Sequence, residues 1–345
     1  MVVAISGGAG FLGLHLARRL HREGVQVRSL DLAPLDDPQL EAGVEELRGD
    51  VRDPAAARRL VAGADVLVHA AAALPIQASG DAIRAVNVEG TATVLAAALE
   101  AGVHRAVFVS STAVYGVPER HPIREDDPLV GVGAYGESKI EAEEVCQAFH
   151  ARGLPTVIVR PKTFVGPERL GVFEILFDWV REGRRIYLLG DGANRYQLLA
   201  VEDLVDAIVR AFDAPPAPGE ALNVGAAEFG TVAEDLGALI EHAGSASRLT
   251  PVPVRPAELA LRALQLLRVS PLAEWHYKTA HKDSFVSTEK AERLLGWAPR
   301  LSNAQTLIET YSWYLENRDR RVGLAGTTHR VPWDQGALGL LKRLS

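Results

Sequence analysis

The spacing Gly7-Gly8-Ala9-Gly10-Phe11-Leu12-Gly13 follows an apolar run at 2–6 without a break and opens a stretch, 11–23, whose Leu and Ala recur at helical intervals. A strand that passes through glycines straight into a helix is the opening of a βαβ unit, and such crossovers build parallel sheets. The alternation continues, with short apolar runs at 25–31, 45–48, 66–69, 106–110 and 156–161 between amphipathic stretches at 54–61, 81–101 and 134–152. The expected fold is therefore α/β, a doubly wound parallel sheet (Rossmann-like). After Gly166-Pro167 the rhythm shifts to helix-rich segments, and 345 residues exceed what one hydrophobic core usually serves. We expect a first unit at 1–165, to which 201–225 returns through a helix and a strand at 221–224. A smaller, partly interleaved unit follows at 166–200 and 226–317, with a tail at 318–345.

Composition limits the partners. Hydrophobic residues are 48% and charged residues 23% of the chain, which suits an ordinary globular protein rather than a disordered one. With 37 Lys and Arg against 44 Asp and Glu the net charge is −7, so no footprint for nucleic acid is present. The single cysteine, Cys146, permits no internal disulfide and no cysteine metal cluster, and no metal site is expected. No basic leader precedes the first strand, and no stretch is read as approaching a transmembrane span. The expected location is cytoplasmic. A Leu-rich segment at 258–269 is read as core cover, with a membrane-surface role as the alternative; the tail, with Trp333, Leu338, Leu340 and Leu341, is read as a docking helix or oligomer contact.

The glycine loop lets the backbone approach a pyrophosphate, whose charge rests against the amides and positive end of the following helix. Asp31 ends the second strand eighteen residues past Gly13, where a carboxylate accepts both adenosine ribose hydroxyls. That carboxylate repels a 2′-phosphate, and the next residue, Leu32, supplies no cation; Arg28 is expected to point away. The loop therefore argues for NAD over NADP. After the third strand, Asp50 is expected to accept from the adenine amino group, while Asp53 before Pro54 reads equally as a helix cap. After the fourth strand, His69-Ala70-Ala71-Ala72 offers small side chains against which a cofactor can lie, and His69 is read as structural.

Tyr135 and Lys139 form Y-x-x-x-K at the start of a predicted helix, an i, i+4 pair on one face. A free tyrosine has a pKa of about 10, and a neighbouring ammonium with an oxidised nicotinamide favours the phenolate. Tyr135 is then able to take a hydroxyl proton near neutral pH. Ser110-Ser111-Thr112-Ala113-Val114-Tyr115-Gly116 brings hydroxyls to the carboxyl end of the fifth strand, where ligands of parallel sheets bind.

Taken together, Gly7 to Gly13, Asp31, Asp50, Asn87-Val88-Glu89-Gly90-Thr91, Ser110 to Gly116, Tyr135 to Lys139 and Arg160 to Pro167 resemble the extended short-chain dehydrogenase/reductases, the NAD-dependent sugar epimerase/dehydratase family. The resemblance spans roughly residues 1 to 317 and includes Leu295-Gly296-Trp297-Ala298-Pro299. It implies Tyr135 as catalytic acid/base, Lys139 as the residue that tunes it and holds the ribose, and Ser111 as the catalytic hydroxyl. It implies cofactor contacts at Gly7, Gly10, Phe11, Leu12, Gly13, Asp31, Asp50, Val51, Ala70, Ala71, Asn87, Ser110, Tyr135, Lys139 and Pro161, with Asn87 also supporting the helix that shapes the site. Substrate contacts are implied at Thr112, Lys162, Thr163 and Arg195. Lys282 and Arg300 are further cations available to a nucleotide diphosphate. The chain departs from the family in several places, one being His281-Lys282-Asp283 where another diphosphate-binding arginine is common. Thr112-Ala113 replace the Asp-Glu pair of dehydratases, Thr163 replaces a common Asn, and Tyr196-Gln197 replace Asp-Phe after the arginine. Without the acid pair, dehydration is disfavoured.

The leading expectation is an NAD-dependent nucleotide-sugar epimerase, at C4, of the UDP-glucose or UDP-glucuronate type. The alternative is a net dehydrogenase or reductase of a sterol-like or lipid alcohol, and a non-catalytic NAD-binding scaffold is the third reading. A homodimer is expected by resemblance, with Val86, Val94, Leu95, Ile140 and Val145 on the helices that pair into a four-helix bundle.

Overall fold

A computed structural model describes residues 1–40, 43–74, 80–168, 170, 173–215, 217–266 and 279–321. The chain begins β1 (Val2–Ser6), α1 (Phe11–Arg22), β2 (Gln26–Asp31), β3 (Val44–Arg48), α2 (Pro54–Val61) and β4 (Val66–His69). It continues α3 (Gly80–Arg84), α4 (Gly90–Glu100), β5 (Arg105–Val109), α5 (Gly133–Ala151) and β6 (Thr156–Pro161). The central strands β1, β4, β5 and β6 are short, mainly apolar and buried because both faces of the sheet are covered there, whereas the edge strand β3 is polar and open to solvent. Seven strands pair in the order β10-β6-β5-β4-β1-β2-β3, all parallel, where β10 is Ala221–Val224. The chain direction across the sheet reverses between β1 and β4, so the loops after these two strands part there and leave a crevice at their carboxyl ends.

α1 and α7 (Val201–Arg210) cover one face of the sheet with Trp297 and Leu295, while α2, α4 and α5 cover the other. Beyond β6 the chain forms β7 (Thr163–Val165), α6 (Phe173–Arg181), β8 (Arg185–Leu189) and β9 (Leu198–Ala200). β7 pairs with β9, and β8 with β11 (Arg248–Val252), in two small parallel sheets. A separate apolar cluster joins α6, β8, α8 (Val232–His242) and the helix Asn303–Arg321 through Phe177, Trp179, Leu239, Tyr311 and Tyr314.

Several expectations need correction. The single helix expected at 81–101 is instead α3 and α4 joined by a π-helical turn, Ala85–Glu89. This run, Gly80–Glu100, is 21 residues with mean hydropathy 1.2, long and apolar enough by composition to span a membrane, although half of that window is buried within the fold. Alanine, valine and leucine packed against α2 and α5 account for its apolarity. Val94 and Leu95, expected at a dimer face, are wholly buried in the monomer core. In α9 (Val254–Leu266), part of the Leu-rich segment expected to cover a core, Leu259 is 69% exposed. The rest of that segment beyond 266 and the tail residues Trp333, Leu338, Leu340 and Leu341 lie outside the described residues.

Candidate active site

The loop after β1 is built around the absence of side chains. Gly7 has φ +75°, and a Cβ there would lie 2.7 Å from the Ala71 amide nitrogen, so the loops after β1 and β4 touch backbone to backbone. A Cβ on Gly13 would run into the Gly7 carbonyl, which is what presses α1 against the loop. At Gly10 only the Gly7 oxygen, at 3.1 Å, would face a Cβ, so that side of the loop is open. α1 starts at Gly10 with no side-chain cap and no acidic residue in its first turn. Its leading amides and dipole are thus left for an external anion, whereas Asp53 caps α2 by accepting from the Ala55 amide at 2.9 Å.

Asp31 is held at the same loop, one oxygen accepting from Ala9 N at 3.1 Å and the other from Ala33 N at 2.9 Å. Arg28 turns away to Glu45 and to the carbonyls of Arg59, Leu60 and Ala62. These residues fit a dinucleotide with a free ribose hydroxyl pair. Asp50 is less open than expected: Arg52 binds both of its oxygens, one at 2.6 Å, and this hydrogen bonding lowers its pKa. Val51 is buried and packs beneath Gly90, where a Cβ would lie 2.8 Å from Val51 Cγ2. Ala70 N bonds Ser6 O, and Phe11 and Leu12 are buried in the first turn of α1.

The reactive residues meet where α5 begins. Ser111 is extended and caps a 3₁₀ turn, Thr112–Tyr115, its Oγ accepting from Ala113 N at 3.1 Å. Val130 N, Gly131 N and Val132 N donate to the carbonyls of Val114 and Ala113, binding the approach to α5 onto that turn. Gly136, next to Tyr135, completes the contact, because a Cβ there would lie 2.7 Å from Ala113 O. Tyr135 is half-buried, and Lys139, one turn on, is buried with Nζ donating to Val109 O at 2.9 Å and standing 4.7 Å from the Phe108 ring centroid. Burial lowers the Lys139 pKa to about 8.

The π-helical turn explains Asn87. Its Oδ1 accepts from Ala73 N at 2.8 Å, while Nδ2 donates to Ala73 O at 3.2 Å and to Ser138 Oγ at 3.0 Å. Ser138 Oγ in turn donates to Tyr135 O at 2.8 Å, so one amide joins the loop after β4 to the first turn of α5. His69 is a strut beneath this: Thr91 gives its proton to Asn87 O, so His69 Nε2 donates to Thr91 at 2.9 Å and Nδ1 accepts from Ser6 at 2.5 Å. Burial holds its pKa near 3.

Ser110, expected to touch cofactor, turns the other way. Its hydroxyl donates to Glu143 Oε1 at 2.5 Å, and Glu143 is gripped by Arg160 through Nε and Nη2, the latter at 2.6 Å. Arg160 Nη1 also donates to Tyr115 OH at 2.6 Å, and Tyr115 to Asn223 Oδ1 at 2.8 Å. The backbone stays extended just past β5, where successive side chains face opposite ways, so Ser110 enters the buried network while Ser111 is half-buried and turns to Ala113 N.

Beyond β6, Pro161 pairs with Val224, and Lys162 is 3% exposed. Lys162 Nζ donates to Ser284 Oγ at 2.6 Å and lies 4.9 Å from the Tyr196 ring. Thr163 and Tyr196 hydroxyls bond at 2.9 Å, and Gln197 joins Val286 N to Ala226 O. The Tyr196-Gln197 departure is thus a structural tie. Arg195 is exposed, its guanidinium against the packed rings of Phe229 and Phe285 at 4.6 and 4.9 Å from their centroids, with Nη2 donating to Phe229 O. Arg300, offered above as a substrate cation, is instead ion-paired with buried Asp203 at 3.0 Å, where Trp297 Nε1 also meets Asp203 O. Lys282 is exposed. Sequence reasoning passed over Gly136, Ser138, His121 and Ser284; only the first two carried a signal, their place inside the Y-x-x-x-K segment.

Residues 3–225 match the profile of the NAD dependent epimerase/dehydratase family. An uncharacterized protein of Sinorhizobium fredii, y4nG, is 37% identical over 341 residues, 98% of this chain and 84% of its own length. The 2-alkyl-3-oxoalkanoate reductase of Stenotrophomonas maltophilia is 34% identical over 233 residues, 64% of this chain and 68% of that protein. Among solved structures, the UDP-glucose 4-epimerase of Thermotoga maritima, crystallised with UDP-glucose, shares the fold at a TM-score of 0.76 and 22% identity, covering 92% of this chain and 100% of that one.

Proposed function

We propose that this chain, which belongs to the NAD dependent epimerase/dehydratase family, is a nucleotide-sugar 4-epimerase. The observation that carries the reading is the packing of α5 onto the Ser111 turn. It joins a tyrosine and a serine for proton handling, while the next two positions, Thr112 and Ala113, hold no carboxylate to expel a sugar hydroxyl. The open face of Gly10, the uncapped first turn of α1 and the Asp31 carboxylate hold the dinucleotide.

Bound NAD supplies a reversible hydride acceptor. Tyr135, as phenolate, takes the proton of the substrate hydroxyl, and Ser111 Oγ bonds the same oxygen as it gains carbonyl character. The Lys139 ammonium, one helical turn away, favours the phenolate. After the ketone has turned over, Tyr135 would return its proton to the oxygen as the hydride goes back to the opposite face of the carbonyl carbon, which gives the inverted alcohol. Rotation needs room, and the short, half-buried side chains of Thr112 and Thr163 are consistent with that need. Incubating NAD-loaded protein with UDP-glucose and UDP-glucuronate, and following products by NMR, tests this. C4-inverted sugar without net nicotinamide reduction is the expected result; no product from any nucleotide sugar defeats it.

The identity with the 2-alkyl-3-oxoalkanoate reductase favours a second reading, a net reductase of an oxo acid or lipid ketone. Stoichiometric change in nicotinamide absorbance separates it from redox-neutral epimerisation. We read residues 1–165 with 201–225 as the cofactor-holding part, and a homodimer through the outer faces of α4 and α5 as the assembly. A sedimentation experiment at micromolar concentration decides that assembly.

A further inference from the structure

The geometry points to Lys162 as the receptor for a carboxylate carried by the substrate close to its reacting carbon. Lys162 follows β6 at the carboxyl edge of the sheet, next to the strand that leads to Ser111; Ser110 N already bonds Val159 O across that pair. Its ammonium is buried, and among the described residues it has no carboxylate within ion-pair distance. Ser284 Oγ and the Tyr196 ring are its polar company, and a lysine has three N–H donors. His121 abuts the same segment, its ring 4.8 Å from that of Phe285, with a buried Nε2 that has no hydrogen-bond partner. A buried ammonium without an anion is costly, so such a lysine gives up its proton more readily, and an anion placed beside it restores the charge. Burial alone accounts for its pKa, lowered to about 7, a value an arriving carboxylate would raise.

Two cations therefore stand at different depths. Arg195, exposed and resting against two phenylalanine rings, is placed for a charge that stays in water, such as a diphosphate; Lys162 is placed for one that is buried with the reacting group. On this view the acid member of a substrate pair, a uronate rather than a neutral hexose, is the one the crevice selects. The choice of nucleotide sugars as probes rests on the epimerase reading above; the assignment of a carboxylate does not.

The test compares NAD-loaded wild type with Lys162→Met and Lys162→Arg on UDP-glucuronate and UDP-glucose, by product NMR and by calorimetric titration, with UDP alone as a third ligand. A buried charge-assisted hydrogen bond predicts a preference for the acid of about 10- to 100-fold in wild type. That ratio should fall toward one in Lys162→Met, mainly through KM, and recover in part in Lys162→Arg. If Lys162→Met weakens UDP and both sugars alike, the oxyanion it meets is the diphosphate and the carboxylate assignment is wrong. Equal handling of the two sugars by wild type also overturns it, and leaves the epimerase reading standing. If no nucleotide sugar binds, the epimerase reading is what fails. A 3-oxo acid and its methyl ester then serve as the matched pair, and equal reduction of both sinks the carboxylate.

Discussion

Gly136 and Ala113 stand so close that a single methyl group on the glycine would lie 2.7 Å from the Ala113 carbonyl oxygen. This contact fixes how near the first turn of α5 comes to the Ser111 turn, and with it the distance between the two proton-handling groups. Gly136→Ala should force the turns apart by several tenths of an ångström. Because misplacement by about 1 Å costs on the order of 100-fold in rate, we expect a loss of 10- to 100-fold in kcat with NAD affinity retained. Wild-type turnover in this variant would show that the wedge sets nothing.

Tyr135→Phe removes the proton acceptor and leaves the ring. General acid–base groups contribute roughly 10²- to 10⁴-fold, so turnover should drop by that range while calorimetry still finds NAD bound. Ser111→Ala should lose less, because it polarises rather than transfers. The acidic limb of the pH–rate profile should disappear with the tyrosine, and a profile of unchanged shape would count against its role.

The buried pair Glu143–Arg160 lies behind these residues and ties Ser110 to Tyr115. Glu143→Gln strands the guanidinium in the core, and removing one partner of such a pair typically costs about 3–5 kcal/mol. Chemical denaturation should show that loss. A midpoint near wild type would mean that water reaches Arg160.

How much of this was legible depended on distance along the chain. The loop from Gly7 to Gly13 and Asp31 reads directly, since spacing, strand and helix are local and the carboxylate lies at the end of the adjacent strand. Ser111 against Ser110 turns on one residue of register, which composition does not mark. Asn87 was readable as a supporting residue but not as a clamp, because its reach to Ala73 and Ser138 depends on the π-helical turn. Arg300 and Lys162 show the harder limit. Both are isolated basic residues in sequence, yet one meets a carboxylate 97 positions away and the other is buried beside a serine 122 positions away.

Asp31 also makes a prediction about cofactor choice. Its two oxygens are pinned by the amides of Ala9 and Ala33, so the charge cannot swing away from a 2′-phosphate. Asp31→Ser combined with Leu32→Arg should reverse the preference, with NADP binding rising by 10-fold or more, in line with about 1.5–3 kcal/mol for a charge-assisted hydrogen bond. Competition between the two dinucleotides in a calorimetric titration measures it, and an unchanged NAD preference would mean that the loop reads some other part of the ribose.

Lys162 ties recognition to stability. Burial lowers its pKa from the ordinary 10.5 to about 7, so the folded state holds fewer protons than the unfolded state between those values. Stability contributed by this group therefore rises as pH climbs from about 7 to 10.5, and below pH 7 the full cost of burying the ammonium is present. A shift of that size corresponds to several kcal/mol at about 1.4 kcal/mol for each pH unit, reduced by whatever the Ser284 hydrogen bond returns. Lys162→Met, similar in length and apolar, should accordingly melt higher than wild type at pH 6, with the difference shrinking toward pH 10. The same variant should lose its preference for acidic substrates, so function and stability move in opposite directions. Thermal melts of the NAD-loaded protein across that pH range decide the matter: a variant that melts lower than wild type at pH 6 would mean that the lysine is already satisfied inside the fold.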